Sequence, residues 1–294
     1  MLRLAQIYHP ITAAPFRNDE AYREIAPCRA LRPYIRCFWG TDRPMIREVH
    51  HPADNLVIPD TCMDLIFNVN YTRNSSHGHF CVVDEKSFRS ASEFTGDVCS
   101  TFAIRFYAWS AILFCDGDFR RGDDLTAEEF SQRLKAELEP ILFDVPTLRE
   151  KIGMAEVFLL RRLDENRLSA DLLNSIYMMI ESGGRAKVSE ICARTAVSER
   201  RMERLFRQNI GVTPKSFSSL IRYQLLWQDM ILSRSFNVLD AVDKFGYTDQ
   251  PHLLRDFRRR HLMTPREALS LALSDFYNTA PAECAMMDKK GKKA

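Results

Sequence analysis

The feature that most narrows the fold is a unit written twice in the last third of the chain. A short amphipathic stretch, a tight turn, a Ser or Thr, and a longer basic segment ending in Phe-Arg occupy residues 188–207 and again 237–258. In both copies the basic segment carries M/L-x-R-x-F, as MERLF over 202–206 and LLRDF over 253–257. Apolar residues three and four apart, opened by a cap and closed by Gly, spell helices. Ser198 and Thr248 stand where N-caps are expected, and Gly211 and Gly246 where helices stop. Two helices joined this way make a helix-turn-helix, whose second helix enters the DNA major groove with its first residues at base edges.

The helical wheel agrees. In the first copy Met202, Leu205 and Phe206 share one side, and Arg200, Arg201, Arg204 and Arg207 the other. In the second, Leu253, Leu254 and Phe257 oppose Gln250, Arg255, Arg258 and Arg259. Between the copies, VTPKSFSSLIRYQLLWQDMILSRS predicts one helix of about 20 residues, with Pro214 in its first turn. Such a helix spans about 30 Å, close to the ~34 Å between successive major grooves on one face of B-DNA. One chain can then reach two adjacent grooves without dimerising.

GYTDQPHLLRDFRR, the closing TPREAL and the earlier SERRMERLFRQNIGVTPKSF resemble the AraC/XylS family of bacterial transcription regulators. Gly246, Tyr247, Asp249, His252, Leu253, Arg255, Phe257, Arg258, Thr264 and Pro265 match that family's signature, within a resemblance that covers about residues 185–272. Two departures stand out: charged Asp240, Asp243 and Lys244 in the supporting helix, and no Gly before the Thr-Pro pair. CRALRPYIRCFWG and LVIPDTCMDLIFNV, with FTGDVCSTFAIRFYAWSAILF, resemble a recurring N-terminal domain of such regulators. The resemblance implies a β-rich, cupin-like effector or regulatory domain, a cytoplasmic bacterial regulator, RNA polymerase as a partner if it activates, and no enzymatic step or cofactor.

The rest of the chain fits a multidomain α+β protein. CFWG (37–40), NLVIPD (55–60), DLIFNV (64–69), HFCVVD (79–84) and STFAIRFYAW (100–109) read as strands of an antiparallel jelly-roll, sandwich or barrel, separated by turn clusters such as TRNSSHGH (72–79). From residue 124 the period becomes helical, with Pro140 and Pro146 as breaks and Gly183-Gly184 as a helix stop and candidate hinge. The expected domains are a β-rich one over 1–145, a helical linker or dimerisation segment over 146–184 that suits a homodimer, a double helix-turn-helix over 185–275 and a flexible basic tail over 276–294.

Charge follows the same division. Residues 1–182 hold 21 Lys+Arg against 27 Asp+Glu (−6), residues 183–275 hold 16 against 10 (+6), and the tail holds 4 against 2, giving +2. A basic back half meets a polyanion. No stretch approaches ~18 uninterrupted apolar residues, so no membrane span is expected. No clean signal peptide precedes the first domain.

For base reading the candidates are Arg200, Glu203, Arg204, Gln250, His252 and Arg255. Arg pairs bidentately with guanine, Gln with adenine, and Glu with cytosine N4. Arg204 and Arg255 equally suit a structural ion pair or phosphate clamp. For phosphate contact or positioning the candidates are Ser198, Arg201, Arg207, Lys215, Arg222, Thr248, Asp249, Arg258 and Arg259, with Asp249 also a helix cap.

Arg36, Trp39, Arg105, Tyr107 and Trp109 are candidates for an effector pocket suited to an amphipathic or anionic small molecule; the aromatics serve equally as core. His77, His79 and Cys81 have ligand spacing, but a turn is a poor place for a metal, and none is assigned. His50-His51 adds little to that. Eight scattered cysteines without a CxxC pair read as reduced thiols, with a redox sensor as the alternative. The competing reading of the whole is a cupin-like metal or redox domain fused to a DNA-binding module.

Overall fold

The front half folds as an antiparallel sheet because its β-branched and aromatic runs alternate. The computed structural model describes residues 2–11, 22–46, 56–89, 96–120 and 122–276. A short helix α1 (Leu2–Ile7) precedes β1 (Tyr22–Ile25), β2 (Ile35–Thr41), β3 (Met45–Ile46), β4 (Leu56–Val57), β5 (Cys62–Asn70), β6 (Ser75–Cys81), β7 (Phe88–Arg89), β8 (Val98–Tyr107) and β9 (Leu125–Thr126). Seven strands form one sheet in the order β1-β2-β8-β5-β6-β9, with β3 also on β8, while β4 and β7 make a separate two-stranded ribbon.

Side chains alternate between the two faces of a strand. Phe38, Met63, Leu65, Phe67, Phe80, Phe102, Ile104 and Phe106 are all fully buried on one face. The helix α2 (Ala127–Asp144) covers them, with Phe130 stacked 4.2 Å from Phe80. Gly78 permits that approach, since a Cβ there would stand 2.7 Å from the Ala127 Cβ and 2.8 Å from Phe67 Cε1. The opposite face is polar: the register sets Cys37 and Asp64 on either side of Arg105, and Cys81 beside Asp64.

The structure corrects several local readings. TRNSSHGH is not all turn: Ser75–Cys81 is strand β6, paired residue for residue with β5. Of the described residues 56–60 only Leu56–Val57 is strand. Pro140 lies inside α2 and does not end it; the irregular point is Ser131, at φ −161°, and the chain leaves the helix at Val145. His50, His51, Cys284 and the basic tail beyond 276 lie outside the described residues.

The back half is helical. After α3 (Leu148–Arg162) come α4 (Ala170–Glu181), α5 (Val188–Thr195), α6 (Glu199–Asn209), α7 (Pro214–Ser233), α8 (Val238–Phe245), α9 (Gln250–His261) and α10 (Pro265–Phe276). Helix α4 packs on α5, α6 and α7 through buried Leu172, Ile176 and Met179. The expected hinge is a packed corner: Gly184 sits at φ +72°, and a Cβ there would stand 2.2 Å from the Ser218 carbonyl oxygen of α7.

The halves meet through buried polar bonds. Gln224 of α7, fully buried, donates its Nε2 to the Pro59 carbonyl at 2.7 Å and accepts from the Ile11 amide at 2.9 Å. Gln228 donates to the His9 carbonyl. Tyr8 accepts from Thr61 Oγ1 at 3.1 Å, and Arg3 lies over the Tyr177 ring at 4.7 Å, so the N-terminal segment touches both halves. A buried amide leaves no unpaired group here, which makes the junction specific as well as apolar.

Candidate nucleic-acid interface

The first unit is α5, a turn, and α6. Ala196 makes the turn in left-handed conformation at φ 56°. Ser198 caps α6 by accepting from the Arg201 amide at 3.3 Å. Met202 and Phe206 are fully buried, and Phe206 meets Phe217 of α7 edge-on at 5.7 Å. Arg200, Glu203, Arg204 and Arg207 project from the other side, exposed and with no ion pair among the described residues. Arg201 differs: it is held by Asp171 of α4, whose carboxylate accepts from Nη2 at 2.7 Å and Nε at 2.8 Å. That pair is half-exposed and worth at most about 1 kcal/mol, but it turns Arg201 toward α4.

The second unit repeats the plan with more buried polarity. Gly246 ends α8 at φ 64°, a conformation costly for any side chain, and a Cβ there would stand 2.8 Å from Arg185 Cδ. Tyr247 is buried and donates to Asp256 Oδ2 at 3.2 Å. Asp249, not Thr248, caps α9: its carboxylate accepts from the His252 amide at 2.6 Å. The Asp side chain wins because it also complements the helix N-terminus. The Thr248 amide instead donates to His252 Nδ1 at 3.4 Å. Leu253 and Phe257 are fully buried, Gln250 and His252 half-buried at the capped end, and Arg255 and Arg258 exposed.

Three arginines of this region depart from the sequence expectation. Arg222 is half-buried on α7, lies 4.3 Å over the Tyr247 ring and donates to the Gly246 carbonyl at 3.3 Å, so its guanidinium is engaged within the fold, unlike the free phosphate contact expected of it. Arg259 is exposed but pairs with Asp256 at 3.0 Å. Arg260, not singled out in the sequence, is 1% exposed, donates to Ser219 Oγ at 2.9 Å and sits 3.5 Å from Asp256. The signal was present: Leu253, Asp256, Phe257 and Arg260 share one helical face, and an Asp-Arg pair four apart on an apolar face is a buried pair. Lys215, in the first turn of α7, is exposed.

Beneath α9, His261 is buried against Trp227 at 4.6 Å and Phe257 at 4.9 Å, and its Nδ1 lies 2.7 Å from the Tyr223 hydroxyl. Burial pushes its pKa down to about 3, so the ring is neutral. At the next helix start Thr264 and Glu267 cap each other, Oγ1 accepting from the Glu267 amide at 3.3 Å and the carboxylate from the Thr264 amide at 2.7 Å. The Thr-Pro pair thus starts α10 as a capping box with Pro265 in the first turn.

Of the effector-pocket residues, Trp39, Arg105 and Tyr107 share the polar face of the sheet, but their polar groups are largely used within the fold. Arg105 is buried and already neutralised: Nε and Nη2 donate to Asp64 at 3.0 and 2.8 Å, and Asp60 lies 3.6 Å away. Trp39 donates its Nε1 to the same Asp64 at 2.6 Å. Arg105 is therefore not available to an anionic effector. Trp109 is fully buried and stacks on Tyr107 at 4.6 Å, a core pair; Arg36 stays half-buried. His77 and His79 do lie on one strand face, 5.8 Å apart, yet among the described residues no group of three or more His, Cys, Asp or Glu has metal-ligand geometry. Burial pushes the thiols of Cys37, Cys62, Cys81, Cys115 and Cys192 up, away from reactive thiolate.

Comparison with known families gives two matches: residues 191–270 match the helix-turn-helix domain, and residues 23–124 match the domain of unknown function (DUF6597). The C-terminal resemblance is borne out: this part of the chain is a helix-turn-helix domain. No curated protein matches. Among solved structures, the 1.65 Å ToxT of Vibrio cholerae aligns at 12% identity over 80% of this chain and 98% of that one, TM-score 0.41. ToxT of Vibrio cholerae O395 bound to (E)-4-(8-methylnaphthalen-1-yl)but-3-enoic acid aligns at 12%, 80%, 99% and 0.41. Unsaturated fatty acid bound ToxT from strain SCE256 aligns at 11%, 87%, 97% and 0.38. Among the described residues no helix is long and apolar enough to cross a membrane.

Proposed function

We propose that the chain is a sequence-specific DNA-binding transcription regulator, with α6 and α9 each reading a major groove and the front domain modulating them. One observation carries this reading: both units present the same capped helix, with Phe206 or Phe257 in the core and arginines on the outer side, both seated on one 20-residue helix, α6 at Phe217 near its start and α9 at Tyr223 and Trp227 in its middle. Helix N-termini carry partial positive charge and attract phosphate, so a capped, exposed start is suited to docking on a duplex.

Arg200, Glu203 and Arg204 are the proposed base readers of the first unit, and Gln250, His252 and Arg255 those of the second. Arg207, Lys215 and Arg258 supply phosphate contacts. Ser198, Asp249 and, through its amide, Thr248 hold the helix starts in place. Arg201 and Arg259, already paired, position more than they bind. The working form is a cytoplasmic protein, as a monomer on two grooves or a homodimer joined through its helices, with RNA polymerase as partner where it activates.

Selection of bound sequences from a random duplex pool by the full chain, at fixed moderate salt, tests this. The expected result is two short blocks about one helical turn apart. A pool without motif, recovered at ordinary affinity, would mean phosphate contact alone and would end the base-reading assignment.

A further inference from the structure

The front domain touches the two reading helices at equivalent places. The last carbonyls of a helix have no partner within it. In α6, the Gln208 carbonyl, one residue from the end, accepts from the Phe119 amide at 3.0 Å. In α9, the Arg260 carbonyl, again one residue from the end, accepts from the Ser87 amide at 2.7 Å and from Ser87 Oγ at 2.5 Å. Arg260 in turn donates Nη1 to the Glu85 carbonyl at 3.4 Å. Phe119 and Ser87 both belong to the front domain, one in the loop before β9 and one before β7.

Each contact is close and directional. Gly122 (φ +67°) closes the Phe119 turn against α6, where a Cβ would stand 2.9 Å from the Gly211 carbonyl oxygen. Gln224, midway along α7, is pinned to Pro59 of the same domain. The contacts lie at the C-terminal ends of α6 and α9, while the capped starts Ser198 and Asp249 stay exposed. The front domain therefore does not cover the proposed reading surfaces. It holds the two helices from behind, through the loop residues Phe119 and Ser87, with Pro59 pinning the helix α7 between them.

We infer that the front domain is a calliper: Ser87, Phe119 and Gly122 are positioning residues that fix the separation and rotation of the two reading helices, and so the spacing between the two DNA blocks the protein accepts. The inference rests on the two-helix reading above and adds which residues, none of them touching DNA, set the spacing. A buried hydrogen bond to an orphan carbonyl is lost whole when its donor is removed, so each end of the calliper can be released separately. A regulator of the front domain would then act by changing block spacing preference and not by uncovering the helices.

The test measures full-chain binding to duplexes carrying the two selected blocks at the selected spacing and with two base pairs inserted or deleted. Two base pairs rotate one block by about 70° relative to the other. The wild-type chain is expected to lose about tenfold or more on either change, the equivalent of one good base contact. Ser87→Pro removes both donors to Arg260, and Gly122→Val pushes the α6 end away. Each is expected to cut the penalty to about threefold or less, with the preference within each block unchanged. Ser87→Ala, which keeps the amide, gives an intermediate penalty and stands in if a stronger variant fails to fold by circular dichroism. Folded variants that keep the wild-type spacing penalty, or that lose affinity equally at every spacing, overturn the calliper. A wild-type chain with no block preference at all instead overturns the two-reader reading, before any variant is made.

Discussion

Arg222 holds Tyr247 from above. Its guanidinium carbon lies 4.3 Å over the phenol ring, and its head donates to the Gly246 carbonyl at 3.3 Å. The long helix thus grips the turn of the second unit at its left-handed residue, Gly246. Tyr247 passes the grip on to Asp256 of α9 at 3.2 Å, and Asp256 meets Arg260. The Gly-Tyr pair is a joint between α7 and α9, and the reading helix is aimed by it.

Arg222→Ala should therefore act on stability and not on DNA charge. Loss of a half-buried cation–π contact and a hydrogen bond costs about 1–2 kcal/mol. The expected outcome is a lower midpoint in thermal or urea unfolding, with the salt dependence of DNA binding unchanged. Arg258→Ala is the counterpart: little change in unfolding, weaker binding to every sequence and a salt slope smaller by about one unit. A reduced slope for Arg222→Ala would return that residue to the phosphate contacts.

Gly246→Ala tests the joint itself. A left-handed residue with a side chain costs roughly 1–2 kcal/mol, and the new Cβ would also displace the Arg185 side chain, now 2.8 Å from where it would stand. Urea unfolding should show a loss of at least this size. Gly117→Ala, with open space around the added carbon, should be near neutral.

Arg204→Ala and Arg255→Ala bear on reading. Each is expected to cost about 1–3 kcal/mol on the best sequence and to relax the preference at one or two positions, in different blocks. The check is a second random-pool selection with each variant. An unchanged motif would assign that arginine to phosphate.

The reading helices were legible because a repeated 3.6-residue pattern, caps and glycine stops act within one helix. The front strands were legible from alternation, but their ends were not. Ser75–Cys81 is strand because β5 offers it seven partners, and nothing in SSHGHFC itself announces that. Arg105 shows the same limit: an aromatic-rich strand with one Arg reads as a pocket until Asp64, 41 positions away, is seen to neutralise it. Ser87, Phe119 and Gln224 carried no signal, since each bonds a backbone group far along the chain. Thr248 lost the cap to Asp249 by one residue, the carboxylate also complementing the helix N-terminus.

The pH dependence of stability follows from two groups shifted in opposite senses. Asp84 is half-buried, and burial first, then the neighbouring Asp124, Asp60 and Asp64, push its pKa from 3.8 up to about 7. A carboxyl raised in the folded state favours folding while protonated. Its contribution is full below about 3.8 and is lost as pH rises through about 7. His261 is the reverse: burial lowers it from 6.5 to about 3, so its contribution is full above 6.5 and is lost as pH falls toward 3. Between about 4 and 6.5 folding takes up a proton at Asp84 and releases one at His261, and the two slopes cancel. Asp84→Asn should unmask the histidine. Measured by urea unfolding at several pH values, the stability of the variant relative to wild type should rise steadily from pH 4 to about 7 and then level off. A difference independent of pH would mean that Asp84 is ionised in the folded protein, and that the polar face of the sheet is better solvated than its burial implies.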